Sequence, residues 1–379
     1  MAESFKVTPW EVSGLSGETY EKLIKKFGVK KIDGPLIQKI LNTAGSLHPF
    51  ISLNLFYAER DLGELLDDYR KGNKFYLYTG RGPSGKMHIG HLMPFIFTKW
   101  LQEAYGVDLV IQLTDDEKYL VKNLSRKEID GYVEDNILDI LSLGFDPKHT
   151  HILVDSKQSG LMYNYAVDVA KHITVSTIKA VFGVKDSDNI GKMFFPSMQI
   201  VPSFIIPALT GRKMRCLIPY AIDQDPYFRV ARDVIPKLGY YKPSAIISKF
   251  LPSLQGDSGK MSSSVESSAI FLSDDDKTVR RKLMKYAFSG GRDTVEEQRK
   301  HGANPDIDFA FNAYMMFEAD AKKVRQVYDD YKSGRMLSGE MKELAAAKIS
   351  EKLADMRAMK ERIKGNLAPY MFDPSKFSQ

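Results

Sequence analysis

Two histidines three residues apart, His88 and His91, flank Gly90 where the turn Arg81-Gly-Pro-Ser-Gly-Lys-Met87 gives way to a helical pattern. One helical turn sets both imidazoles on the same face. The missing side chain at Gly90 lets a flat ring approach the backbone closely. Free N–H groups and the positive dipole end at a helix start favour phosphate. An apolar strand, a glycine turn and a helix start, as in residues 76–100, is how an α/β sheet presents itself to a nucleotide. Further along, Lys260-Met-Ser-Ser-Ser264 puts an ammonium and three hydroxyls on a glycine-flanked loop. Such groups can close over a triphosphate and stabilise the charge that grows as pyrophosphate departs. Each stretch also has a plain reading: a helix with two surface histidines, and a Ser-rich linker. Asp115, Asp116 and Glu117 form an acidic cluster that invites a metal, but it ends in Lys118, and no dedicated metal cage is expected.

The elements that must hold these groups follow from periodicity. Strand patterns at 75–79, 109–113, 151–154, 217–222 and 245–251 alternate with helical stretches at 90–105, 129–143, 163–172 and 226–238. Strands separated by helices of that length require crossovers, hence a mainly parallel, Rossmann-like sheet of the α/β class. Residues 196–209 are so apolar that a buried helix beside the sheet is expected. After a Gly- and Ser-rich loop at 252–268, stretches at 277–287, 309–317, 321–333 and 338–367 read as helices. Residues 1–72 read as an ordered extension with helical spacing at 18–27, 36–44 and 61–71; a disordered tail would be poorer in aromatic and aliphatic residues. The expected division is an extension over 1–72, a catalytic domain over 73–268 and an all-helical domain over 269–379.

Composition narrows the class. The chain has 379 residues, 43% hydrophobic and 27% charged, in the ordinary range for a globular protein of about two domains. It contains no run of eighteen or so apolar residues and no signal-peptide pattern, so a cytoplasmic chain that neither spans a membrane nor is secreted is expected. The single cysteine, Cys216, excludes an internal disulfide and a Cys-based zinc site, and its apolar setting marks a buried, inert thiol. A net charge of +6 permits a polyanionic partner such as RNA without requiring one.

The run His88-Ile-Gly-His91 resembles the HIGH motif of class I aminoacyl-tRNA synthetases, and Lys260-Met-Ser-Ser-Ser264 resembles their KMSKS motif. Further stretches narrow the resemblance: Tyr78-Thr-Gly-Arg-Gly-Pro-Ser84, Gln112-Leu-Thr-Asp-Asp-Glu-Lys118, Ala221-Ile-Asp-Gln-Asp-Pro-Tyr-Phe-Arg229 and Ala287-Phe-Ser-Gly-Gly-Arg-Asp-Thr294. As a set they are similar to the tryptophanyl-tRNA synthetase family of the eukaryotic and archaeal type, from about residue 5 to the C-terminus. One departure is Ser263, which stands where the second lysine of the motif is usual, leaving more of the charge stabilisation to Lys260 or to Arg81 and Lys118.

The resemblance implies a tryptophan site in which Tyr78 and Gln112 meet the indole N–H while Glu117, Gln199 and Gln224 hold the α-amino and carboxylate groups. An indole N–H only donates, so acceptors at that point make chemical sense. It implies an ATP site formed by Arg81, His88, Gly90, His91, Lys118, Lys260, Met261, Ser262, Ser263 and Ser264, with Lys260, His88, His91 and Arg81 as the catalytic set. ATP would bring Mg²⁺ with it, and the partners implied are tRNA(Trp), L-tryptophan and a second copy of the chain in a homodimer. The segment Val7-Thr-Pro-Trp-Glu-Val12 resembles a short appended segment over the ATP site, although a strand that pads the domain fits equally. The residues alone leave open a tyrosyl-tRNA synthetase, a nucleotidyltransferase making small-molecule adenylates, and a non-catalytic RNA-binding relative.

Overall fold

The computed structural model describes residues 6–7, 12–13, 17–251, 253–256, 261 and 266–377. Nine strands occur among them: β1 (Lys6–Val7), β2 (Val12–Ser13), β3 (Lys30–Lys31), β4 (Phe56–Arg60), β5 (Phe75–Arg81), β6 (Leu109–Leu113), β7 (Thr150–Val154), β8 (Arg215–Ala221) and β9 (Ser244–Ser248). β1 and β2 form an antiparallel pair, and the remaining seven make one sheet in the order β3-β4-β9-β8-β5-β6-β7. From β9 to β7 every pairing is parallel, whereas β4 and β3 are added antiparallel at the β9 edge. The expected parallel α/β sheet is present, and all five strands read from the sequence occur within a few residues of their expected limits.

The parallel strands are apolar runs because both faces are covered. β6 and β7 are buried throughout, as is β5 from Phe75 to Thr79. Their period of two divides the side chains between two cores. Phe75, Leu77, Leu109, Ile111 and Leu113 enter one core with the Ile89–Tyr105 and Arg126–Leu141 helices. Tyr76, Tyr78 and Val110 enter the other, with the Ser159–Ala170, Ile190–Ile200 and Asp225–Val234 helices. The apolar stretch expected as one helix over 196–209 is broken. Ile190–Ile200 ends in a short 3-10 turn, Val201–Ser203, and a second helix, Ile205–Thr210, follows. Pro202 and Pro207 lack the N–H that a continuous helix needs.

The segment before residue 72 does more than pack on the sheet. β4 pairs with β9, and β3 pairs with β4, so the extension supplies the sheet's antiparallel edge. The chain around Phe27 and β4 is fastened to the site by Arg60. Its guanidinium bonds both oxygens of Asp225 at 3.1 Å and the carbonyls of Phe27 and Gly28. Asp225 is fully buried and also accepts from Tyr220 at 2.9 Å, with Arg229 3.2 Å away. After residue 268 the chain is helical, chiefly Asp276–Tyr286, Val295–His301, Phe309–Phe317, Ala321–Lys332 and Ser338–Ile363. Their apolar residues are continuous with one core of the sheet, and Phe372 N–H donates to the Ile152 carbonyl on β7 at 2.9 Å. Cys216 is buried, and burial pushes its thiol pKa upward, consistent with an inert side chain.

Removing one partner of a buried ion pair leaves a desolvated charge. Arg60→Met should therefore lower unfolding free energy by about 3 kcal/mol in urea titration, the low end of the range because Arg229 and Tyr220 remain on Asp225. A loss below about 1 kcal/mol would contradict this role for the pair.

Candidate active site

The C-terminal ends of three adjacent strands carry a buried polar row. Tyr78 lies in β5, Gln112 in β6, and Asp155 directly follows β7, its N–H bonded to the Leu113 carbonyl at 3.1 Å. All three are fully buried. The Tyr78 hydroxyl lies 2.5 Å from Gln112 Oε1 and 2.9 Å from the Gln199 carbonyl, and it accepts from Gln199 Nε2 at 2.8 Å. Gln112 Nε2 faces both Asp155 oxygens, at 2.8 and 2.9 Å. Asp155 is also hydrogen-bonded to the Asp116 carboxyl. Burial holds Asp155 well above the ordinary carboxyl range and pushes Asp116 up to about 6. Burial likewise raises the Tyr78 hydroxyl, which stays neutral.

A cavity of roughly 270 Å³ opens where β5 and β8 separate, at the ends of these strands. Tyr78, Arg81, His88, Gly90, His91, Glu117, Lys118, Gln199, Gln224 and Met261 all line it. Gln112 does not: it stands behind Tyr78, and sequence reasoning did not anticipate that indirect position. Lys260, Ser262, Ser263 and Ser264 lie outside the described residues, as do residues 8–11 of the appended N-terminal segment. Among the lining residues given no role from the sequence are Tyr227 and Phe228. The Phe228 ring meets Tyr78 edge-on at 5.8 Å, and the buried Tyr227 hydroxyl has no hydrogen-bond partner among the described residues. Their signal was available: Tyr227 lies one helical turn beyond Gln224.

The acidic cluster is held by local bonds. Asp115 accepts from Ser156 N–H at 3.0 Å, and Asp116 accepts from Glu117 N–H at 2.7 Å. Glu117 accepts from Thr114 Oγ1 at 3.1 Å and pairs with Lys118 at 2.7 Å. Among the described residues no group of three or more His, Cys, Asp or Glu is arranged to hold a metal ion. Lys118 packs tightly on the turn after β5, and a Cβ at Gly82 would fall 2.0 Å from Lys118 Cε. A larger residue at 82 would displace the flexible end of the Lys118 side chain.

At the helix start, His88 is the N-cap of Ile89–Tyr105, and its backbone N–H donates to His91 Nδ1 at 3.1 Å. The two rings stack, with centroids 3.4 Å apart. A Cβ on Gly90 would lie 2.4 Å from Met261 Cε, so the one described residue of the Lys260–Ser264 run touches the glycine between the histidines. Gly90 and Met261, far apart in the chain, thus meet at the cavity. Arg81 stands beside them, its Nε donating to Asn136 Oδ1 at 3.2 Å, and Asn136 in turn donates to the Gly85 carbonyl at 3.1 Å. Desolvation lowers the Arg81 pKa to about 10, which leaves it charged at neutral pH.

Comparison with known proteins bears on this arrangement. The family model for class I tRNA synthetases of the W and Y type matches residues 70–354. The chain belongs to that family. The chain is 47% identical to a tryptophan–tRNA ligase of Saccharolobus solfataricus, covering 98% of this chain and 97% of that protein. With the human cytoplasmic tryptophan–tRNA ligase the identity is 44%, over 100% of this chain and 82% of the human protein. A solved tryptophanyl-tRNA synthetase from Giardia lamblia superposes with a TM-score of 0.88 at 36% identity, covering 97% of this chain and all of that one. The sequence resemblance to a class I synthetase and the expected sheet are therefore borne out. Synthetases of this family use ATP as a substrate.

In this class I synthetase, Gly90→Ala tests the contact between the two runs. The Met261 methyl is the end of a flexible side chain and can move, so the thermal midpoint should stay within about 2 °C. Displacing Met261 should raise the KM for ATP about ten-fold in amino-acid activation, while the amino-acid KM changes little. Equal changes in both KM values would contradict the assignment of this face to the nucleotide.

Proposed function

We propose that the chain is a tryptophan–tRNA ligase, and that the cavity at the ends of β5 and β8 is its amino-acid and ATP site. The observation that supports this most strongly is the buried Tyr78–Gln112–Gln199 group at the closed end of a cavity whose other end carries His88, His91, Arg81 and Lys118. An indole fits the closed end, where its N–H meets the Tyr78 oxygen. Glu117, Gln199 and Gln224 hold the α-amino and carboxylate groups, and Tyr227 adds a hydroxyl on the same side.

The amino-acid carboxylate is ionised at neutral pH, so activation requires no general base. It attacks the α-phosphorus of ATP, the bond to the bridging oxygen breaks, and pyrophosphate leaves with the electron pair. Catalysis rests on alignment and charge stabilisation. Arg81, His88, His91 and Lys118 stabilise charge from the helix side, and Lys260 with Ser262, Ser263 and Ser264 does so from the loop around Met261. Mg²⁺ would arrive with the ATP phosphates, since among the described residues no group of three or more His, Cys, Asp or Glu is arranged to hold a metal ion. A ribose 2′-hydroxyl at the tRNA 3′ end then attacks the adenylate carbonyl, and AMP leaves.

The proposed organisation keeps a catalytic domain over 73–268, to which the 1–72 extension lends the sheet edge, and a helical anticodon-binding domain over 269–379. A homodimer is supported by exposed apolar residues on one helix face, Tyr163 and Val167 of Ser159–Ala170, and by the 83% exposed Ile190 at the start of a helix that packs against it. A cytoplasmic location is supported by the name of the human relative. No described helix is long and apolar enough to cross a membrane.

ATP–pyrophosphate exchange with tryptophan, tyrosine and phenylalanine tests the function. Exchange with tryptophan alone is expected; exchange with tyrosine would move the chain to the tyrosine side of the family. For the assembly, sedimentation should show a dimer that Tyr163→Asp with Ile190→Asp converts to a monomer. A monomeric unsubstituted chain would contradict the dimer.

A further inference from the structure

A hydroxyl lining a pocket can donate or accept, and an indole N–H can only donate. A tryptophan site built on Tyr78 therefore needs something that fixes the direction of the hydroxyl. The row behind it does so. Asp155 is fully buried, and its two oxygens lie 2.8 and 2.9 Å from Gln112 Nε2. Even a protonated carboxyl keeps one oxygen that only accepts, and the reversed amide would set Gln112 Oε1 against it, so Nε2 faces Asp155 and Oε1 faces Tyr78. An amide oxygen only accepts, and it lies 2.5 Å from the Tyr78 hydroxyl, which must therefore give its proton away from the cavity. The Gln199 carbonyl, 2.9 Å away, is also an acceptor and draws the proton the same way. Gln199 Nε2 donates to one lone pair of the hydroxyl at 2.8 Å, so what Tyr78 retains toward the cavity is its second lone pair.

We propose that Asp155 is a positioning residue for amino-acid selection: through Gln112 it sets the Tyr78 hydroxyl as an acceptor, so that the site favours a side chain that donates a hydrogen bond. Asp155 touches no substrate, and it is absent from the cavity lining. The inference rests on the tryptophan reading of the cavity.

The test compares kcat/KM for tryptophan with that for 3-(benzothiophen-3-yl)alanine, in which sulfur replaces the indole N–H, using ATP–pyrophosphate exchange. Asp155→Asn keeps the shape but offers an amide that suits either orientation of Gln112. The preference for tryptophan over the analogue should fall about ten-fold, chiefly through the tryptophan KM, while the analogue is used much as before. In a Gln112→Met background the preference is already lost, and adding Asp155→Asn should change it less than about two-fold. If Asp155→Asn does not fold, Asp155→Ser, whose hydroxyl both donates and accepts, puts the same question to the same ratio. An unchanged ratio, an equal loss for both substrates, or an undiminished effect in the Gln112→Met background would each overturn the proposal. Failure of the unsubstituted protein to exchange with tryptophan would instead overturn the reading on which it rests.

Discussion

β5 lies between two parallel neighbours, β6 and β8, and the rest of the structure depends on that placement. The helices that follow β5 and β8, Ile89–Tyr105 and Asp225–Val234, pack on opposite faces of the sheet, which leaves the space between the ends of these two strands open. The polar side chains assigned to the cavity come from elements that start or pass beside this gap. Tyr78 and Arg81 are on β5 itself, Glu117 and Lys118 follow β6, Gln224 follows β8, and Gln199 comes from the helix behind. The gap brings a cost, since polar side chains there leave bulk water. That cost is offset by mutual hydrogen bonding, which is why Tyr78, Gln112, Gln199 and Asp155 are bonded to one another.

The nucleotide side shows a second consequence of long-range assembly. The Ile89 N–H that opens the helix donates to the Ile270 carbonyl at 2.9 Å, and Leu272 N–H donates to the Met87 carbonyl at 3.0 Å. Residues 269–274, which lead out of the loop around Met261, are thus bonded to the turn that presents His88. Lys282 of the first C-terminal helix holds that stretch from below. Its buried Nζ donates to the Ala269 carbonyl at 3.0 Å and to Asp274 at 2.7 Å. The helical region and the nucleotide helix therefore share a hydrogen-bonded junction as well as an apolar core.

Much of this was legible in the sequence, for local reasons. Parallel strands buried on both faces read as apolar runs, and β5 to β9 stood out on that account. The glycines around His88 and the Lys260–Ser264 run are sequence patterns whose chemistry is local. β4 was not legible: Phe56-Tyr-Ala-Glu-Arg60 is short and ends in two charged residues that look solvated. Only its pairing with β9 and the Arg60–Asp225 bond make it a strand with a buried end. Gln112 was noticed for the right strand but given a direct contact; the carboxyl that draws its amide backward, Asp155, is 43 residues away. Periodicity records which face a residue occupies, and it does not record which polar group waits across the fold.

The central claim is that the indole ring occupies the closed end of the cavity against an acceptor fixed by the protein. A crystal structure of the protein with L-tryptophan tests it most directly. The account predicts the indole nitrogen about 3 Å from the Tyr78 hydroxyl, with the α-amino group on Glu117 and Gln112 still turned to Asp155. A ring bound elsewhere in the cavity, or an indole nitrogen with no contact to Tyr78, would contradict it.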